Sequence, residues 1–139
     1  DEMKKAFTLA ARRGVDVRII TPGIPDKKFV YQATRSYYNR LVKKGVRIFE
    51  YTPGFCHAKQ CVSDDKAAVV GTINLDYRSL YHHFENGCFM ADCDAVLDIR
   101  RDMEQTLEQC REVTEKYKSG RSATLRLGQL FLRLFAELL

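Results

Sequence analysis

Twice in its first 51 residues the chain runs an amphipathic stretch into a glycine and then directly into an alternating apolar segment. Met3, Ala6, Phe7, Leu9 and Ala10 keep helical spacing over 2–13, and Gly14 stops them. VDVRII (15–20) follows, with Val15, Val17 and Ile19 alternating against Asp16 and Arg18. Phe29, Val30, Ala33, Tyr37 and Leu41 repeat the helical spacing over about 27–44, Gly45 ends it, and VRIFEY (46–51) is a second strand. Asp26, closing the loop TPGIPD (21–26), is placed to cap that second helix. Helix, strand, helix, strand commits the chain to an α/β fold, because each amphipathic face must find a sheet to cover it.

The remaining segments fit the same class. TPGF (52–55) makes a turn, HAKQCVSD (57–64) a third strand and Lys66 to Gly71 a fourth, with Asp64-Asp65 as hairpin turn. Residues 71–85 read as a loop with one helical turn, NGCFMAD (86–92) as a fifth strand, and 94–118 as one long helix. KSGRS (118–122) then breaks the chain before a final helix over 124–138. The expectation is a mixed β-sheet flanked by helices over 1–120, with an amphipathic helix in 121–139. That helix sets Leu127, Leu130, Phe131, Leu134, Phe135 and Leu138 against Arg126, Gln129, Arg133 and Glu137. Core or interface packing explains such a face, and so does an interfacial membrane helix.

With 139 residues, 45% of them hydrophobic, the chain is one globular domain and not a disordered segment. No apolar run approaches the ~20 residues that span a bilayer. The helix starting at residue 1 has no leader and no cap, as expected of a domain cut from a longer protein. A net charge of +5 suits phosphate-bearing lipids or nucleic acid. Five cysteines without an export signal read as reduced thiols. C-x4-C occurs twice, but along a strand a separation of five puts Cys56 and Cys61 on opposite faces, so no metal site is expected.

Chemistry concentrates between His57 and Glu85. His57 and Lys59, two apart on a strand, share a face. Lysine offers a point charge to phosphate oxygens, and histidine moves protons or attacks near neutral pH. Asn74, after Gly71-Thr72, adds a neutral donor that the hairpin returns toward Lys59. Glu85 is a candidate to accept the other imidazole N–H and fix its tautomer. Singly, each has an ordinary reading as surface or turn. Together they form H-x-K-x4-D followed by G-T-x-N-x-D-x-R-S, a long string.

That string, HAKQCVSD with GTINLDYRS, resembles the His-Lys-Asp motif of the phospholipase D superfamily. RGVDVRIITPGIPD, YYNRLVKKGVRIFEYTPGFCHAK and HFENGCFMAD resemble the C-terminal half of bacterial cardiolipin synthases, from residue 1 to about 118. The resemblance implies two such motifs facing each other across one active site. One His forms a phosphohistidine and the other serves as acid and base. Carried over, His57, Lys59 and Asn74 are this half's contribution, Glu85 orients His57, Asp64 supports the motif at a distance from the phosphate, and Thr72 and Arg78 join the substrate contacts. The N-terminal His of two-motif enzymes is generally the nucleophile, which leaves His57 as general acid and base. The implied reaction passes a phosphatidyl group from one phosphatidylglycerol to another, without cofactor or metal, since lysines replace the metal's charge.

The chain holds one motif only. The implied partners are therefore phosphatidylglycerol, a membrane surface, the missing N-terminal half and, as an alternative to that half, a second copy in a homodimer. Full-length enzymes of this kind sit at the bacterial cytoplasmic membrane, and a fragment like this one is expected to be soluble or peripheral. Two rivals remain. One is a homodimeric single-motif nuclease or phosphodiesterase, against which stand Asp76, Arg78, Ser79 and the lack of aromatics interleaved with a basic run. Nucleic acid is accordingly not an expected partner. The other rival is a lipid-binding or dimerisation module without turnover, for which an intact His57, Lys59 and Asn74 would be unnecessary.

Overall fold

The computed structural model describes residues 2–25 and 27–119. Asp26 and the expected unit at 121–139, with its helix over 124–138, lie outside the described residues. The first helix, α1 (Glu2–Arg12), stands where its periodicity places it. The first strand, β1 (Arg18–Pro22), starts three residues later than expected and runs through Thr21 and Pro22. The cause is pairing. β1 lies parallel to β2 (Arg47–Tyr51), from Arg18 opposite Arg47 to Pro22 opposite Tyr51. Thr21 is buried in that register, its hydroxyl 2.7 Å from the Tyr38 hydroxyl and 3.2 Å from the Phe49 carbonyl oxygen. Pro22 donates nothing to the ladder, which β1 tolerates as an edge strand.

Between these strands runs α2 (Lys28–Val42), with Lys27 at its cap position and no side-chain cap. Its inward face, Tyr38, Leu41 and Val42, packs with Val46, Ile48, Val113 and Tyr117 in one buried cluster, joined by Phe7 and Ala11 from α1. The rings of Tyr38 and Tyr117 meet edge to face at 4.9 Å, an arrangement worth about 1 kcal/mol beyond area. Burial pushes the Tyr38 phenol up, with the Thr21 hydrogen bond acting against it.

The expected single sheet is divided in two. The first has the order β1, β2, β6 (Cys110–Glu112) and is mixed. The second joins β3 (Gln60–Ser63), β4 (Ala67–Gly71) and β5 (Gly87–Ala91), all antiparallel. Helix α4 (Asp94–Glu108) packs against strands of both sheets and so holds them in one α/β body.

The long helix expected over 94–118 is interrupted. After α4 come β6 (Cys110–Glu112) and α5 (Thr114–Lys118). β6 adds antiparallel to β2, with Arg111 opposite Glu50 and Glu112 opposite Phe49. Two gains outweigh continued helix here. Val113 and Tyr117 are buried at 3% and 2% exposure, and Arg111 reaches Glu50 at 2.9 Å.

Glu50 is fully buried, with Arg35 at 2.6 Å on its other oxygen. Removing one partner of a buried pair leaves the other charge uncompensated. Glu50→Ala is therefore expected to destabilise the fold by about 3 kcal/mol, because Arg35 is largely enclosed and Arg111 is open to water. Urea unfolding checks it, and a midpoint unmoved by the substitution would show that the pair carries no stability.

Candidate active site

The site grows from the β3–β4 hairpin. Asp64 and Asp65 both take positive φ, 52° and 55°, and the Lys66 amide donates to the Ser63 carbonyl at 3.0 Å. Two central residues of that kind make the tight turn whose twist matches paired strands, which Asp tolerates better than branched residues. Asp64 is thus a turn residue, at the end of β3 remote from Lys59 by five residues, or roughly 17 Å of extended chain.

At the other end the Gly71 amide donates to the Lys59 carbonyl at 3.1 Å, one bond beyond the ladder proper. His57 and Lys59 were expected inside the third strand. They precede it instead, since strand pairing begins at Gln60 opposite Val70. The two stay coupled, because the Lys59 ammonium donates to the His57 carbonyl at 2.6 Å. The His57 imidazole is exposed, its ring tilted against Phe55 at 5.8 Å, and makes no hydrogen bond with a described residue.

Gly71 marks a close crossing. A Cβ there would sit 2.1 Å from the Asn86 carbonyl oxygen and 2.7 Å from the Gly87 Cα, so no larger residue fits. The approach lets the Thr72 amide donate to the Asn86 carbonyl at 2.8 Å, while the Thr72 hydroxyl donates to Glu85 at 2.5 Å. Asn74 donates to the Ser79 hydroxyl at 3.3 Å. Ser79 is buried in α3 (Tyr77–Tyr81), its amide donating to the capping carboxylate of Asp76 at 2.8 Å.

Glu85 does not pair with His57. The Thr72 hydroxyl, and after it the Ser79 hydroxyl, donate to its carboxylate and hold its pKa below the usual range, against some desolvation, with His83 and Lys59 adding positive charge nearby. The physical reason is reach. The β4–β5 crossing sets Glu85 beside Thr72, whereas His57 leaves from the lead-in to β3. Arg78 lies 3.3 Å from the Nε2 of His83. Lys59, Thr72, Asn74, Ser79 and Glu85 thus form one linked group, His57 adjoins it through the chain, and Asp64 stands apart. Ser79 is the residue whose linking role sequence missed, and the signal was the N-cap pattern D-x-x-S at 76–79.

A depressed carboxylate is an anion over the neutral range, hence an acceptor and not an acid. Its hold on Thr72 and Ser79 is present above the ordinary carboxylate pKa and is lost as pH falls through its lowered value. Glu85→Gln is accordingly expected to keep the fold and lower turnover roughly tenfold, through kcat, by loosening Thr72 and Asn74. An equal kcat in the variant, or a loss confined to KM, would remove Glu85 from positioning.

Two three-stranded sheets bridged by a helix define a fold class shared with a phospholipase D family member, Nuc from Salmonella typhimurium. That crystal structure aligns with a TM-score of 0.71 at 18% identity, over 80% of this chain and 72% of the other. The family model described as the cardiolipin synthase, phospholipase D-like domain matches residues 1–107. The chain belongs to that family. It is 50% identical over 138 residues to an uncharacterized protein of Streptococcus mutans, covering 99% of this chain and 30% of that protein. Against cardiolipin synthase 2 of Bacillus cereus it is 36% identical over 139 residues, covering 100% of this chain and 27% of that one. The chain therefore spans about three tenths of the curated relatives it matches. No described helix is long and apolar enough to cross a membrane.

Proposed function

We propose that this chain supplies one half of the active site of a phosphatidyltransferase that makes cardiolipin and glycerol from two molecules of phosphatidylglycerol. What supports it best is an exposed imidazole that makes no hydrogen bond with a described residue, two residues from a lysine whose ammonium reaches the His57 carbonyl, together with Asn74 held by Ser79 of α3. Lys59 and Asn74 hold the non-bridging oxygens of the phosphodiester, and Thr72 and Arg78 line the approach. A histidine of the other half attacks phosphorus and forms the P–N bond as the P–O bond to glycerol breaks. His57 gives its proton to the leaving glycerol oxygen. It then takes the proton from the hydroxyl of the second phosphatidylglycerol, whose oxygen displaces the first histidine and closes the cycle. Glu85 acts through Thr72 and Ser79, as a positioning carboxylate. Asp64 supports the hairpin. The protein works at the bacterial membrane surface, where both substrates reside, and the site needs no metal or cofactor of its own.

Phosphatidyl transfer measured beside nuclease activity, in the full enzyme that carries this chain, tests the reading. Cardiolipin and glycerol in equal amounts, with DNA untouched, is the expected result. Cleavage of DNA without lipid transfer would put the nuclease in its place.

A further inference from the structure

A groove of about 370 Å³ opens between α1 and the C-terminal end of α2, lined by Lys4, Lys5, Thr8, Arg40, Lys43 and Lys44. At one end Ala11 of α1 packs against the buried cluster that holds Leu41 and Val42 of α2. Residues 2–13 and 40–44 carry seven cationic side chains against the single carboxylate of Glu2, a local excess of six where the whole chain has five. Glu2 is itself engaged at 3.4 Å by the Tyr81 hydroxyl of α3, next to the site segment.

Helix electrostatics explain only part of this. Arg40, Lys43 and Lys44 complement the C-terminal dipole of α2. Lys5 stands near the start of α1, where that dipole opposes positive charge, and Leu9 occupies the position four residues on where a carboxylate would offset it. Lys5, Arg40, Lys43 and Lys44 form no ion pair with another described residue. Such a concentration is self-repelling until an anion is brought to it.

We infer that this groove is a docking surface for the anionic headgroups of a lipid bilayer. The choice of bilayer over nucleic acid rests on what accompanies the charge. Leu9, one turn on from Lys5 on the same helix, is 59% exposed, and a headgroup layer accommodates an apolar side chain beside lysines. The aromatic ring that is near, Tyr37, lies beneath the Lys4 ammonium at 5.8 Å and is not offered for base stacking. The contact between Glu2 and Tyr81 ties the groove's helix to α3, so a chain seated this way keeps its site segment near the surface that holds the substrate.

The inference rests on the proposed lipid substrate for its partner, but its test needs no turnover. The 139-residue chain is mixed with sedimenting vesicles of phosphatidylcholine containing 30 mol% phosphatidylglycerol, or with phosphatidylcholine alone. Binding is expected to the anionic vesicles only and to weaken in high salt. The triple variant Lys5→Glu, Lys43→Glu, Lys44→Glu should lose on the order of tenfold or more in partitioning. The milder Lys5→Gln, Lys43→Gln, Lys44→Gln set should lose less and guards against a folding defect. An equal charge change at Lys27, Lys28 and Lys116 should leave most binding in place. Vesicle binding retained by the groove variants, or lost equally in the control set, overturns the inference. So does a duplex DNA affinity that the groove variants lose while vesicle binding stands. Vesicle binding by the chain, with no phosphatidyl transfer by the full enzyme that carries it, would keep this inference and sink the proposed activity instead.

Discussion

Replacing His57 by Ala in the full enzyme is expected to abolish phosphatidyl transfer, to below about a thousandth of the parent rate, while leaving unfolding unchanged. Both halves of that expectation come from the surroundings of the ring. The imidazole is exposed, its ring is tilted against that of Phe55 at 5.8 Å, and it makes no hydrogen bond with a described residue. Its removal therefore vacates no core and orphans no buried donor, so stability should move by less than about 0.5 kcal/mol. The rate has no such insurance. Without a proton donor the glycerol oxygen must leave as an alkoxide, and without a base the second hydroxyl attacks unassisted. Lys59 cannot substitute, because its ammonium is directed to the His57 backbone carbonyl and would serve the phosphate by charge alone. Transfer above a few per cent of the parent rate, in protein with an unaltered urea midpoint, would take His57 out of the mechanism.

What sequence made legible was whatever is local. The helices α1 and α2, the Asp64-Asp65 turn and the order of the first five strands all follow from periodicity and punctuation within windows of a dozen residues. The H-x-K and G-T-x-N strings were equally plain, being contiguous. The failures were non-local. Nothing near Arg111 announces that it will face Glu50, 61 residues away, yet that pairing turns an expected helix into β6. Thr21 reads as a loop residue until Tyr38 and Phe49 arrive beside it. The Glu85 carboxylate was expected to meet His57 and meets Thr72 instead, because its partner is chosen by the close β4–β5 crossing at Gly71. Sequence therefore placed the local elements better than it placed the contacts between them.

The 139-residue chain alone is expected to turn over no phosphatidylglycerol and to gain transfer when the other motif is supplied. A phosphohistidine mechanism needs a nucleophile and a proton carrier on opposite sides of one phosphorus, and the sequence contains a single H-x-K. The surface around that motif is correspondingly open. Phe55 is 52% exposed, Leu75 59%, Tyr81 53%, and Phe84 107%, all within the stretch that surrounds His57, Lys59 and Asn74. Exposed apolar side chains in such number call for a partner. A second copy would have to match the same face to itself about a two-fold axis, which requires self-complementarity, whereas a different half need only be complementary. Adding the upstream half in trans should therefore restore transfer, and should fail to do so with the His57→Ala chain. Turnover by the chain alone would show that a second copy supplies the missing histidine, and light scattering would then have to find a dimer at the assay concentration.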